Sequence, residues 1–321
     1  MSESQQGGAT APSQEHFRPR FMEIASFLRL PILDDPAGLD IALFGIPFDL
    51  GVTNRPGPRH GPRQVRDMSS LTRRMHHVSK IVPEHLCRLA DLGDVRINPF
   101  SIEESVAAIE AFHSWVRDGG ARPLAVGGDH LTTLPALRAL GKDRPVGLIQ
   151  FDAHCDTGNP YMGQALHHGA PFKLAVEEGV LDPKRTIQIG IRGSLNDVDQ
   201  WRFSHDSGMR VVEIEEYFDR GWRSVMEEAL ALVGDGPVYV TFDVDSLDPV
   251  YAPGTGTPEP GGISMHEAQR MVRMLAGLDI VGADVVEVSP PFDPSGNTAL
   301  NAATILFELL CVMASRDGST R

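Results

Sequence analysis

The sequence predicts an α/β fold, a three-layer αβα arrangement around an eight-stranded, mostly parallel sheet. Short apolar blocks rich in branched residues recur from about residue 39 onwards, and stretches with helical periodicity separate them. No Ser/Gly-rich linker or break in composition interrupts the alternation, which points to helices packed on both faces of one sheet. The blocks are apolar at nearly every position, as strands buried on both faces require.

The first block, Ile41 to Pro47, ends in a proline and reads as a strand. Seven more follow: Leu86–Leu92, Pro123–Val126, Val146–Phe151, Thr186–Ile191, Arg210–Ile214, Val238–Phe242 and Ile280–Val288. Helical spacing appears at Ile102–Val116, Leu131–Leu140, Ala170–Glu178, Ser224–Val233, His266–Leu275 and Ala299–Ala314. With 321 residues, 41% of them hydrophobic, the chain can bury one large core, so a single domain over 15–321 is expected. Residues 1–14 are polar and Gly/Ser/Gln-rich, the composition of a disordered tail.

The balance of 29 Lys and Arg against 43 Asp and Glu gives a net charge of -14, which disfavours nucleic acid and anionic membranes as partners. A cationic small molecule is not repelled. Cys87, Cys155 and Cys311 are too few and scattered for a disulfide framework and form no CxxC pair, so a reducing, cytoplasmic location is expected. No basic-then-apolar leader opens the chain, and no run of about 18 consecutive apolar residues suggests a membrane span.

In a parallel sheet, ligands bind beyond the carboxyl ends of the strands. Three strand ends carry metal-ligand chemistry: Gly127-Gly128-Asp129-His130, Asp152-Ala153-His154-Cys155-Asp156 and Asp243-Val244-Asp245. If these segments are extended, alternation puts Asp152, His154 and Asp156 on one side and turns Cys155 away, and Asp243 and Asp245 repeat the device. With His130 they make four carboxylates and two imidazoles, enough for two divalent ions if an aspartate bridges them. Four clustered carboxylates without a cation would repel one another. The donors suit Mn²⁺ and admit Ni²⁺, Co²⁺ or Zn²⁺. Singly, each motif also fits a bland use: GGDH is a turn with an N-cap, and DxD a strand-end cap.

The motifs GGDH, DAHCDT, HHGAPF, TFDVDSLDPVYAPGTGTPEPGG and VVEVSPPFDPSGNTAL together resemble the ureohydrolase family of arginases, agmatinases and guanidino-acid hydrolases. The likeness runs from about Pro31 to the C-terminus, and NRPGPRHGPRQVR at 54–66 is similar to the guanidinopropionase and guanidinobutyrase branch. It implies an arginase-like fold and an amidinohydrolase that splits a guanidino compound into urea and an amine by attack of a hydroxide bridging two ions, Mn²⁺ first and Ni²⁺ second. One ion would be held by His130, Asp152, Asp156 and Asp243, the other by Asp152, His154, Asp243 and Asp245. The resemblance makes His168 the acid/base group and Glu287, at the end of its strand, the partner of the guanidinium. It also implies a homo-oligomer, trimer or hexamer, for which the apolar residues of Arg18–Pro31 are available.

The same resemblance places Tyr161 and Met162 in the loop that separates 3-guanidinopropionate from 4-guanidinobutyrate users, with Tyr161 matching the shorter substrate. Arg55 or Arg59 is a candidate for a substrate carboxylate, and the Pro253–Gly262 loop is expected to shape the mouth of the site. His167 departs from the family pattern and is expected to be solvated. Agmatine, guanidine and biguanides such as metformin remain alternatives, as do two other classes: a metal-dependent deacetylase and a non-catalytic subunit of a hetero-oligomer.

Overall fold

The computed structural model describes residues 19–318, with side chains to residue 315. The tail at 1–14 lies outside the described residues, and so does Arg18.

Eight strands form one sheet: β1 (Ile41–Gly45), β2 (Leu89–Asp94), β3 (Arg122–Val126), β4 (Val146–Phe151), β5 (Leu181–Ile191), β6 (Arg210–Glu213), β7 (Val238–Asp243) and β8 (Ile280–Val286). Their order is β2-β1-β3-β8-β7-β4-β5-β6, and every neighbouring pair is parallel. Nine helices accompany them among the described residues: α1 (Gly61–Ser69), α2 (Ile102–Asp118), α3 (Thr133–Gly141), α4 (Pro171–Glu177), α5 (Arg202–Ser207), α6 (Ile214–Arg220), α7 (Trp222–Val233), α8 (Met265–Met274) and α9 (Asn297–Gly318).

Alternation along the strands divides the core into two layers. Ile41 and Leu43 of β1 pack with residues of α1, α6, α7, α8 and α9, whereas Ala42 and Phe44 pack with α2, α3 and α4. Both faces are thereby dry, which is why the strands carry apolar residues at successive positions. α9 is long and apolar enough to cross a membrane, but 78% of its apolar window is buried inside the fold. It is a core helix.

Helices α1, α5 and α6 carry no expected counterpart. They are short, and in α1 (GPRQVRDMS) the buried residues are Gly61, Pro62, Val65, Arg66 and Ser69, so no apolar stripe marks it. The expected strand Leu86–Leu92 starts instead at Leu89, after a 3-10 turn at Pro83–His85. β8 stops at Val286 rather than Val288 because Glu287 has φ +65, a left-handed backbone that no strand continues through. Helix α8 begins at a capping box, in which Ser264 accepts from the Glu267 N–H and Glu267 reaches back to Ser264.

Candidate metal centre and substrate cavity

The site residues gather where β3, β4, β7 and β8 end, side by side in the middle of the sheet. The route from β3 to His130 depends on two glycines. A Cβ on Gly128 would stand 1.6 Å from the Phe48 carbonyl oxygen, and one on Gly127 would stand 2.6 Å from the Val286 Cγ1. Only bare backbone lets the chain after β1 cross there. Asp129 then caps the 3-10 turn His130–Thr132 by accepting from the Leu131 N–H.

The segments after β4 and β7 are not the extended rows expected from alternation. Residues 153 and 154 bend, Asp156 has φ +51, and Asp243 caps a 3-10 turn, Val244–Ser246, that contains Asp245. Asp152 and Asp243 each accept the N–H two residues on, from His154 at 2.6 Å and Asp245 at 2.8 Å. The carboxylates therefore fold the backbone around themselves. Cys155 packs against Ile191 and Val211 even so, and burial raises its thiol beyond ordinary reactivity.

Six side chains converge. The His130 Nδ1 lies 3.0 Å from Asp152 Oδ2, 3.0 Å from Asp156 Oδ2 and 3.2 Å from Asp243 Oδ2. The His154 Nδ1 lies 3.1 Å from Asp245 Oδ2 and 3.5 Å from Asp152 Oδ1. Asp152 thus turns one oxygen to each imidazole and stands between two groups, His130/Asp152/Asp243 and Asp152/His154/Asp245. In each, the ligand atoms fall within 4.8 Å of one another. Asp243 sides with His130 through Oδ2, while its Oδ1 takes the Asp245 N–H.

The donor set fits divalent cations by two signs. The buried His130 Nδ1 faces three carboxylates yet makes no hydrogen bond. Burial and neighbouring carboxylates push Asp243 well above the usual range and Asp156 to about 6, so the cluster is short of positive charge. Burial opposes the charge on Asp152 also, but the two flanking imidazoles hold it below the ordinary carboxylate range. The far side of His130 is fixed too: Nε2 meets Thr241 Oγ1 at 2.9 Å. Thr241 pairs in register with Asp284, a buried carboxylate that accepts from Thr133 and Tyr239 hydroxyls at 2.8 and 2.9 Å. Such outer partners select which ring nitrogen faces the ion.

Beside this cluster, Glu287 Oε1 accepts the His130 N–H at 2.9 Å and the His168 Nδ1–H at 2.9 Å. Glu287 Oε2 is buried with no partner, and Glu287 is one of the residues that line the cavity beside the cluster. The His168 Nε2 lies 3.0 Å from the Thr53 hydroxyl and 3.3 Å from its backbone nitrogen; when the ring is protonated, Nε2–H donates to the hydroxyl oxygen. Burial disfavours the imidazolium, but the Glu287 charge overrides it and raises His168 to about 9. Thr53 was not anticipated, although the rule of inspecting polar residues after each strand applied to β1 also.

A cavity of about 760 Å³ opens from the cluster, walled by His154, Asp156, His168, Asp243, Asp245 and Glu287 inside and by loops outside. The Pro253–Gly262 loop contributes Thr257, whose hydroxyl reaches Asp245 Oδ2 at 3.3 Å. Tyr161 lies on the wall; Met162 is 92% exposed and outside it. His167 is buried, not solvated. Its Nδ1 accepts the Gly169 N–H, so Nε2 carries the proton and donates to the Asn159 carbonyl at 3.0 Å, and burial lowers its basicity. Neither candidate arginine reaches the cavity wall: Arg59 pairs with Asp49 at 2.5 Å, and Arg55 stacks over Phe292 at 3.7 Å.

The arginase family matches residues 39–312. A guanidinopropionase from Pseudomonas aeruginosa is 55% identical over 297 residues, 92% of this chain and 93% of that one. Among solved structures, the proclavaminate amidino hydrolase of Streptomyces clavuligerus superposes with a TM-score of 0.90 at 36% identity, covering 93% of this chain and 100% of that one. The Trypanosoma cruzi formiminoglutamase solved with Mn²⁺ gives 0.78 at 26%, covering 86% and 94%. A sheet of this order, ligands at these strand ends and likeness along nearly the whole chain converge on one conclusion: the chain belongs to the arginase family.

Proposed function

We propose that the protein hydrolyses a guanidino acid, 3-guanidinopropionate, to urea and an amino acid. The observation that carries this reading is the buried, unpartnered Glu287 Oε2 beside a cluster built for cations. A buried carboxylate oxygen without a donor is costly, and the N–H fork of a guanidinium supplies what it lacks. Glu287 thus orients the substrate, with His130 N–H and His168 holding its other oxygen.

His130, Asp152, Asp156 and Asp243 would hold one divalent cation, and Asp152, His154, Asp243 and Asp245 the second, Mn²⁺ before Ni²⁺. Such a pair supplies positive charge and lowers the pKa of water from 15.7 to roughly 7. Water adds its oxygen to the guanidinium carbon, the bond from that carbon to the alkyl nitrogen breaks, the departing amine takes a proton from His168, and the proton that water gives up restores His168. His168, raised to about 9, carries that proton at neutral pH, and Thr53 steers its ring. Tyr161, with Met162 beyond it, borders the substrate's tail. The 55% identity to the guanidinopropionase supports the shorter acid.

The protein is further read as a cytoplasmic homo-oligomer, a trimer or hexamer. Phe21 is 88% exposed, and Met22 and Ile24 beside it are exposed as well, which leaves apolar surface for another copy. Light scattering from the purified protein tests this, and a monomer refutes it.

Urea release tests the activity. Protein reconstituted with Mn²⁺ or Ni²⁺ is expected to cleave 3-guanidinopropionate in preference to 4-guanidinobutyrate, agmatine, arginine, guanidine and metformin. Preference for another member moves the substrate; no urea from any of them refutes the reading and favours a deacetylase or a partner subunit.

A further inference from the structure

We propose that Lys173 receives the carboxylate tail of the guanidino acid and thereby sets the preference for acidic over cationic tails. This rests on the guanidino-acid reading above. An acidic tail inside a cavity needs a cation on its wall, and the described wall residues offer three besides the histidines: Lys173, Arg192 and Arg202.

Two of them are already committed. Arg192 is buried and spends its donors on the carbonyl oxygens of Gly190, Asp245, Ser246, Leu247 and Glu259. Arg202 is largely exposed and forms an ion pair with Asp199. Lys173 differs from both. Its Nζ donates to the neutral Asn159 Oδ1 at 2.7 Å, and its ion pair, to the half-exposed Glu177, is 3.9 Å long. An ammonium has three donors, so one aligned by Asn159 leaves capacity for a carboxylate.

The surroundings fix where that charge stands. The Phe203 ring lies 5.4 Å from Nζ, so one side of the ammonium is apolar. Asn159 is held by its backbone as well, through the proton of His167 Nε2, which accounts for the buried first histidine of the HHGAPF motif. The preceding residue, Phe172, packs edge-on against the His130 ring at 5.2 Å, which ties α4 to the metal-holding cluster. An acid tail meeting Lys173 gains a charge-assisted hydrogen bond, whereas the ammonium of agmatine meets a like charge.

The test compares Lys173→Met and Lys173→Arg with the unaltered, metal-loaded protein on 3-guanidinopropionate and on propylguanidine, which has a similar chain and no charge at its tail. Lys173→Met is expected to raise KM for the acid by roughly 10- to 100-fold, the worth of one charge-assisted hydrogen bond. It should leave kcat and the KM for propylguanidine unchanged, and Lys173→Arg should restore most of the loss. An unchanged KM for the acid, or an equal rise for both substrates, overturns the assignment. If the unaltered protein cleaves no guanidino acid, the parent reading falls with it; if it does and Lys173→Met does equally well, only the lysine is wrong.

Discussion

The inner wall of the cavity is made of residues that end strands, and the outer wall is made of loops. On that wall Asp243, Asp245 and Glu287, and behind it His130 and Asp152, are all buried, each set by its own backbone hydrogen bonds or by a neighbour's. Outside, Tyr161 is 54% exposed and follows a loop stapled at few points, chiefly by His167 and Asn159. Chemistry is thus anchored in the sheet, and tail recognition rests on segments that can change without disturbing it.

The contrast can be broken by substitution. Asp152→Ala should have the largest effect, since one oxygen serves each group: urea production and metal content should both disappear, read by elemental analysis of the purified protein. Full activity in that variant would end the idea of two ions sharing this carboxylate. His168→Ala comes next, with turnover lowered by roughly 10²–10⁴ and metal retained, because the residue touches Glu287 and Thr53 rather than the cluster's ligand atoms. Metal loss there would move His168 to the inner wall's structural duty. Smallest is Met162→Ala, an exposed position where about 0.5 kcal/mol, roughly a twofold change in KM, is expected. A larger change would show that the mouth is covered in the working assembly.

Legibility follows the same division. The strands were readable because burial on both faces leaves them uniformly apolar, and six donor residues stand out because they follow those strands directly. Their geometry was less readable. Alternation along an extended chain led to the right side for Cys155 by the wrong path, since Asp156 and the Val244–Ser246 turn leave the extended conformation, and periodicity contains no term for a left-handed residue. Glu287 is the same case: its φ of +65 turns the side chain out of β8 towards His168. Such backbone is costly for residues with a Cβ, and its presence at Asp156 and Glu287 marks where the fold spends stability on the site. Lys173, Asn159 and Thr53 escaped notice because no local pattern distinguishes a helix lysine or a loop asparagine from a surface one. Their relation exists only once the loop closes back on α4.

The place of β8 in the sheet has a consequence for biosynthesis. It lies between β3 and β7 in space but is the last strand to be made, so the β2-β1-β3 half and the β7-β4-β5-β6 half have no seam until it arrives. His130 belongs to the first half, and Asp152, His154 and Asp243 to the second. On a growing chain, the second half already holds Asp152, His154, Asp243 and Asp245, whereas His130 sits on the first half, so the donor group that needs His130 is completed, together with Glu287, only when the last strand joins the two.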